Sequence, residues 1–293
     1  MSIHYRADFR AAAAKKAFAA EFPGYNTPMR VDILTLFPEM FAGLLEHSIL
    51  GRAREAGLLD LRLVQWRDYA LDKHRVVDDA PYGGGAGMVL KCEPLFRAIE
   101  DLRPADAAAP ETQVIHLSPQ GVLLTQGIAC ELAREARHLI LVCGRYEGVD
   151  ERARRTLFDR EISIGDYVLT GGELPAAVLT DAVVRLLPGV LGNEESAQHE
   201  SHMNGIFDHP HYTRPEVFRE MAVPEVLIGG HHAKIVAWRR EQAIRRTLEV
   251  RPDLIQKADL SDADRALVRK VQEEMREGKH YCPKRFPEGE ECE

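Results

Sequence analysis

The chain has 293 residues, 45% of them hydrophobic and 29% charged, enough to bury a substantial core and to divide into roughly one to three domains. A net charge of −8 excludes indiscriminate binding of nucleic acid over the whole surface, because phosphate contacts need local lysine and arginine; any polyanion is left to a local basic patch. No apolar run approaches the roughly 20 residues that span a bilayer, so no membrane partner is expected. Cys92, Cys130, Cys143, Cys282 and Cys292 form no Cys-x-x-Cys pair, which predicts reduced thiols and a cytoplasmic protein.

Residues 1–28 carry an alanine run at 11–14 and an alanine-rich stretch at 17–20, without the apolar stretch and small-residue cleavage site of a secretory signal. They read as a disordered, non-functional extension, of the kind an upstream start codon would add. From residue 29, strand-like runs at 31–36, 61–64, 114–117, 139–142 and 162–164 alternate with helical stretches such as 39–56. That alternation predicts an α/β domain over 29–190, with a mostly parallel sheet and helices on both faces. Residues 191–203 are polar, with few large apolar side chains, and read as a flexible linker. Helical periodicity without strand alternation then predicts a small all-helical domain over 204–279. The acidic tail, 280–293, has four Glu in its last eight residues and reads as disordered.

Three of the strand signals stop at glycine-bearing loops: Ser118-Pro119-Gln120-Gly121, Gly144-Arg145-Tyr146-Glu147-Gly148, and the stretch from Gly165 to Gly172. In a parallel sheet such loops gather at the carboxyl edge, where ligands bind, and glycine lets a ligand's polar atoms reach the backbone. Tyr82 to Met88 is also glycine-rich, yet no Lys-Ser or Lys-Thr follows it and no Gly-x-Gly-x-x-Gly is present, which disfavours a nucleoside triphosphate or a dinucleotide. His199, His202, His209 and His211 have no cysteine near them and read as solvated or substrate-facing rather than as a structural zinc set. Arg52 and Arg54, Lys73 to Arg75, and Arg239, Arg240, Arg245 and Arg246 beside Trp238 are equally readable as an RNA-facing patch or as solvated helix faces. Glu147, Asp166, Glu173, Arg185, Glu200 and Asp208 flank the glycine loops or the linker, where most carboxylates are helix caps or surface charges.

Taken together, Leu117-Ser118-Pro119-Gln120-Gly121, Cys143 to Arg152 (CGRYEGVDER), Ser163 to Pro175 (SIGDYVLTGGELP) and His211-Tyr212-Thr213-Arg214-Pro215 closely resemble the bacterial tRNA (guanine-37 N1)-methyltransferases, knotted enzymes of the SPOUT type. Leu36 to Phe41 and Tyr82 to Met88 match as well, so that the resemblance runs from Met29 to about Leu254 in order. It implies a deep trefoil knot in the α/β domain and a homodimer with its active site at the subunit interface. It also implies that S-adenosylmethionine is held at Leu117, Ser118, Pro119, Gly144, Ile164, Gly165, Asp166, Tyr167, Val168, Leu169, Gly171 and Gly172. Methylation of neutral guanine at N1 needs a base for the N1 proton and a cationic donor for charge growing on O6. By family position these are Glu200, where the family has Asp, and Arg185. Gly87, Asp208, His211, Tyr212 and Arg214 are implied in holding the tRNA, with 204–279 as a tRNA-binding domain. Magnesium dependence is implied too, with Glu147 a participant and the metal's site left open. A related knotted enzyme acting on another RNA atom, and a catalytically silent RNA-binding protein, are the alternative readings.

Overall fold

The computed structural model describes residues 28–104, 110–191 and 200–277. The expectations for residues 1–27, for 192–199 of the linker and for the tail lie outside these residues. The chain forms two compact units that divide between residues 194 and 195.

The first unit holds strands β1 (Met29–Thr35), β2 (Leu59–Gln65), β3 (Asp78–Asp79), β4 (Val89–Leu90), β5 (Thr112–Leu123), β6 (His138–Cys143) and β7 (Arg160–Ser163). Its helices are α1 (Ser48–Glu55), α2 (Cys92–Leu102), α3 (Gln126–Glu135), α4 (Glu151–Leu157) and α5 (Glu173–Val184). Five strands form one sheet in the order β2-β1-β6-β5-β7, every neighbour parallel. The central strand β6, His-Leu-Ile-Leu-Val-Cys, is buried along its whole length, as a parallel strand covered on both faces must be. Its alternate residues separate the two cores. Leu139, Leu141 and Cys143 share a cluster with Leu50, Leu132 and Leu179 of α1, α3 and α5. Ile140 and Val142 pack instead with Leu95 and Ile99 of α2 and Leu157 of α4.

The sequence expectation holds for the sheet and its helices and fails at two places. Residues 39–56 are not one helix: a 3-10 turn, Pro38–Phe41, is separated from α1 by Gly43, whose φ of +77° interrupts helical geometry. Strand β5 does not end at residue 117. It continues to Leu123 after a register shift between Leu117 and Val122 in its pairing with β7, so Ser118 to Gly121 form an irregular bend inside the strand. Gly121 is required there, since a Cβ would lie 2.5 Å from the backbone of Glu161 and Ile162.

The second unit contains β8 (Val217–Phe218), β9 (Met221–Ala222), α6 (Glu225–Ile228), α7 (His232–Val250), α8 (Pro252–Lys257) and α9 (Asp262–Arg276). It is therefore mostly but not wholly helical. The antiparallel β8–β9 pair turns through Arg219 and Glu220, both at positive φ, and strands of two residues are too short to leave an alternation in sequence. A small core of Ile206, Ile244, Leu248, Leu260, Val268 and Val271 is supplemented by ion pairs between α7 and α9. Ser261 and Asp264 form a capping box that starts α9.

Candidate functional site

The bend inside β5, at Leu117 to Gln120, and the loops that follow β6 and β7 enclose a cavity of about 360 Å³, in the range of small-molecule sites. Every position expected to hold a cofactor lines it except Asp166, which is exposed and stands outside its walls. Close backbone approach explains Gly172. The amide of Gly172 donates to the carbonyl of Gly144 at 2.9 Å, and a Cβ at Gly172 would lie 2.6 Å from the Cα of Cys143. The loop from residue 164 to 172 is thus fastened directly to the end of β6.

A side-chain network that sequence reading assigned no site role holds the same corner. Glu173, the first residue of α5, is buried, accepts from Thr35 Oγ1 at 2.8 Å and pairs with Arg145 Nη2 at 3.0 Å. Arg145 also donates to the carbonyl of Thr170 at 3.2 Å and lies over the Phe37 ring. A carboxylate in the first turn of α5 is favoured by the helix dipole, and the guanidinium compensates its burial. Both residues were visible in the Gly-Arg-Tyr-Glu-Gly and Gly-Gly-Glu-Leu-Pro motifs; only the fold showed that they meet.

His116 lies at the floor of the cavity. Its Nδ1 is 3.2 Å from Glu161, which Arg154 holds at 2.9 Å, and its ring stacks on Phe158. Burial pushes its pKa below the usual imidazole value, against the opposing pull of the Glu161 hydrogen bond. Burial likewise raises the Cys143 thiol well above its ordinary range, leaving it a packing residue rather than a nucleophile.

The glycine-rich loop and the short strand after it are anchored to the loop that follows β6. The amide of Glu147 donates to the Met88 carbonyl at 3.1 Å, and Leu90 and Val149 form a parallel bridge. Gly87 has a φ of +87°, and a Cβ there would meet the Glu147 side chain at 2.5 Å. Glu147 belongs to no three-ligand cluster among the described residues. Arg185 caps the end of α5 and is half-buried.

In the second unit Glu200 opens the turn that leads to Asp208 and is half-buried. Asp208 accepts from His211 at 2.9 Å, and its own amide donates to Ser201 Oγ at 2.9 Å. Burial would raise the Asp208 pKa, but hydrogen bonds from the His211 ring and the His209 amide outweigh it and keep the carboxylate below its usual range. Tyr212 and Trp238 lie 6.3 Å apart beside a cavity of about 720 Å³ that Arg245 and Arg246 also line. Arg214 borders a neighbouring one. Of the basic cluster on α7, Arg240 is committed to Asp264 and Arg245 to Glu241 and Glu274, so much of that charge is already compensated within the unit.

A parallel α/β sheet with a glycine-walled cavity at its carboxyl edge defines a small-molecule-binding protein, here with a second unit that presents aromatic and basic side chains. Residues 29–257 match the family model of the tRNA (guanine-1)-methyltransferase TrmD. The chain is 58% identical over 243 residues to a tRNA (guanine-N(1)-)-methyltransferase of Moorella thermoacetica, covering 83% of this chain and 96% of that one. It is 57% identical to the enzyme of the same name from Dehalococcoides mccartyi (83% and 97% covered) and 51% identical to that of Staphylococcus epidermidis (85% and 99% covered). The chain belongs to the tRNA (guanine-1)-methyltransferase family.

Proposed function

We propose that this protein transfers a methyl group from S-adenosylmethionine to N1 of guanine 37 in tRNA, beside the anticodon. The observation that carries the reading is the cavity between the bend of β5 and the loops after β6 and β7, whose backbone is opened by Gly144, Gly165, Gly171 and Gly172. A neutral adenine edge can hydrogen-bond to the backbone donors and acceptors that these glycines leave open. When bound there, S-adenosylmethionine supplies an electrophilic methyl group on a sulfonium.

The protein's own part is proton and charge management. Glu200 takes the proton from N1 as the N–C bond forms, and Arg185 donates to O6, where negative charge accumulates. The longer Glu reaches further than the Asp usual in the family. Gly87, Asp208, His211, Tyr212 and Arg214 hold the tRNA, with Tyr212 and Trp238 offering aromatic faces to unstacked bases. The target guanine must leave the anticodon-loop stack to be methylated.

The same reading includes a knotted chain and a homodimer. From β7 at the sheet edge the chain returns to Gly144 at the end of β6, on the far side of β5, while the extension of β5 pairs with β7. This route supports a threaded crossing. Leu174 and Val178 form an exposed apolar pair on α5, and Val168 and Leu169 are exposed at the cavity, a surface suited to a second copy. Magnesium belongs to the proposal as a requirement of the reaction, without an assigned site. Among the described residues no helix is long and apolar enough to cross a membrane, and the cytoplasm is proposed as the compartment where tRNA is met.

The test is transfer of a labelled methyl group to an unmodified tRNA transcript carrying guanine at position 37, followed by primer extension. N1 methylation blocks Watson–Crick pairing, so a stop that vanishes when guanine is replaced by adenine is expected. Methylation without that stop would move the reaction to another RNA atom. Cofactor binding without methylation would make the protein a silent RNA binder.

A further inference from the structure

We propose that Asp208, His209 and His211 form a binding site for a divalent transition-metal ion of the zinc class, separate from the magnesium requirement above. The donor atoms of the three side chains all lie within 4.8 Å of one another. His211 Nε2 is 2.9 Å and His209 Nε2 3.9 Å from the two oxygens of the Asp208 carboxylate. Zinc-to-nitrogen and zinc-to-oxygen bonds of about 2.0–2.2 Å place ligand atoms roughly 3.3 Å apart in a tetrahedron, so small rotations of the two rings close the set.

The second observation is the setting of the ligands. His209 Nδ1 is 3.3 Å from the Pro210 carbonyl, an acceptor, so the tautomer protonated at Nδ1 satisfies that contact and leaves the Nε2 lone pair available on the Asp208 side. Metal-binding histidines are oriented in this way, by donating the other ring N–H to a carbonyl or carboxylate. Asp208 is fixed by its amide's bond to Ser201 and by the bond it accepts from the His209 amide at 2.7 Å. Pro210 restricts the backbone between the two histidines. Metal entry asks only that His211 carry its proton on Nδ1, releasing Nε2 from Asp208. Two imidazoles and one carboxylate select zinc, cobalt or nickel over magnesium, which prefers an all-oxygen shell.

The test is titration of the chelator-stripped full chain with Co2+, read by its visible absorption, and with Zn2+ by calorimetry. One equivalent should bind with nitrogen and oxygen ligation. His209→Gln, His211→Gln and Asp208→Asn should each weaken binding at least tenfold, as expected for loss of a ligand. Circular dichroism of each variant without metal reports its fold. Zn2+ should raise the unfolding midpoint of the parent chain but not that of His209→Gln. Absence of binding, binding undiminished in the variants, or a cobalt spectrum with thiolate charge transfer would overturn the proposal.

Discussion

The two units are held together by different material. In the sheet unit two apolar cores clamp the strands from either face, and the glycines Gly144, Gly165, Gly171 and Gly172 are part of the cavity wall beside them. In the second unit a small core leaves more of the cohesion to pairs such as Arg240–Asp264 and Arg245–Glu274, and the candidate RNA surface is made of side chains. A rigid scaffold can hold main-chain donors to within a few tenths of an ångström, as a compact ligand demands. An unstacked RNA loop is met better by aromatic faces and charged groups.

The largest expected effect falls on the chemistry. Glu200→Gln should abolish methyl transfer while calorimetry still detects cofactor binding; a variant that keeps turning over would remove Glu200 from the role of base. Arg185→Ala comes next, with a loss on the order of 10² to 10³ in turnover, the range for removing a preorganised donor to a developing oxyanion. Single-turnover rates with both substrates saturating would separate this from weakened binding.

Packing at the site gives a smaller effect that discriminates between the units. Gly172→Ala would set a Cβ 2.9 Å from the Gly144 amide nitrogen, against backbone that cannot swing away. Strain of about 1–3 kcal/mol is expected, with cofactor affinity falling at least tenfold and tRNA affinity changing little. Equal loss of both would mean that the cofactor and RNA surfaces are not separable in this way.

The second unit should answer to pH instead. The Arg240 hydrogen bond holds the Asp264 carboxyl well below the usual carboxylate range. A depressed folded-state pKa contributes stability above the unfolded value of about 3.9 and loses it as pH falls below that value. Asp264→Asn should therefore cost about 1–2 kcal/mol at neutral pH and flatten the acid limb of unfolding below about pH 4, with the cap of α9 weakened as well. Denaturant unfolding across that range, followed at Trp238, provides the measurement. Deleting residues 2–28, which precede the family match, should change methyl transfer least of all; a severe loss would make the extension part of the working enzyme.

The sequence by itself pointed to the sheet, because short apolar runs such as 139–142 alternate with helical stretches, and it marked the glycine loops through residue identity. The in-order motifs determined the family. Tertiary structure alone decided that β5 continues past Ser118-Pro119, since a bulge is a matter of pairing with β7 and not of local propensity. It also decided that Thr35, Arg145 and Glu173 form one network, and that Asp208, His209 and His211 turn their ring and carboxylate atoms toward one another. Contacts across 28 and 138 residues leave no periodic trace along the chain. Even between neighbours, the direction of a side chain is set by the backbone dihedrals around it, which only the folded chain fixes.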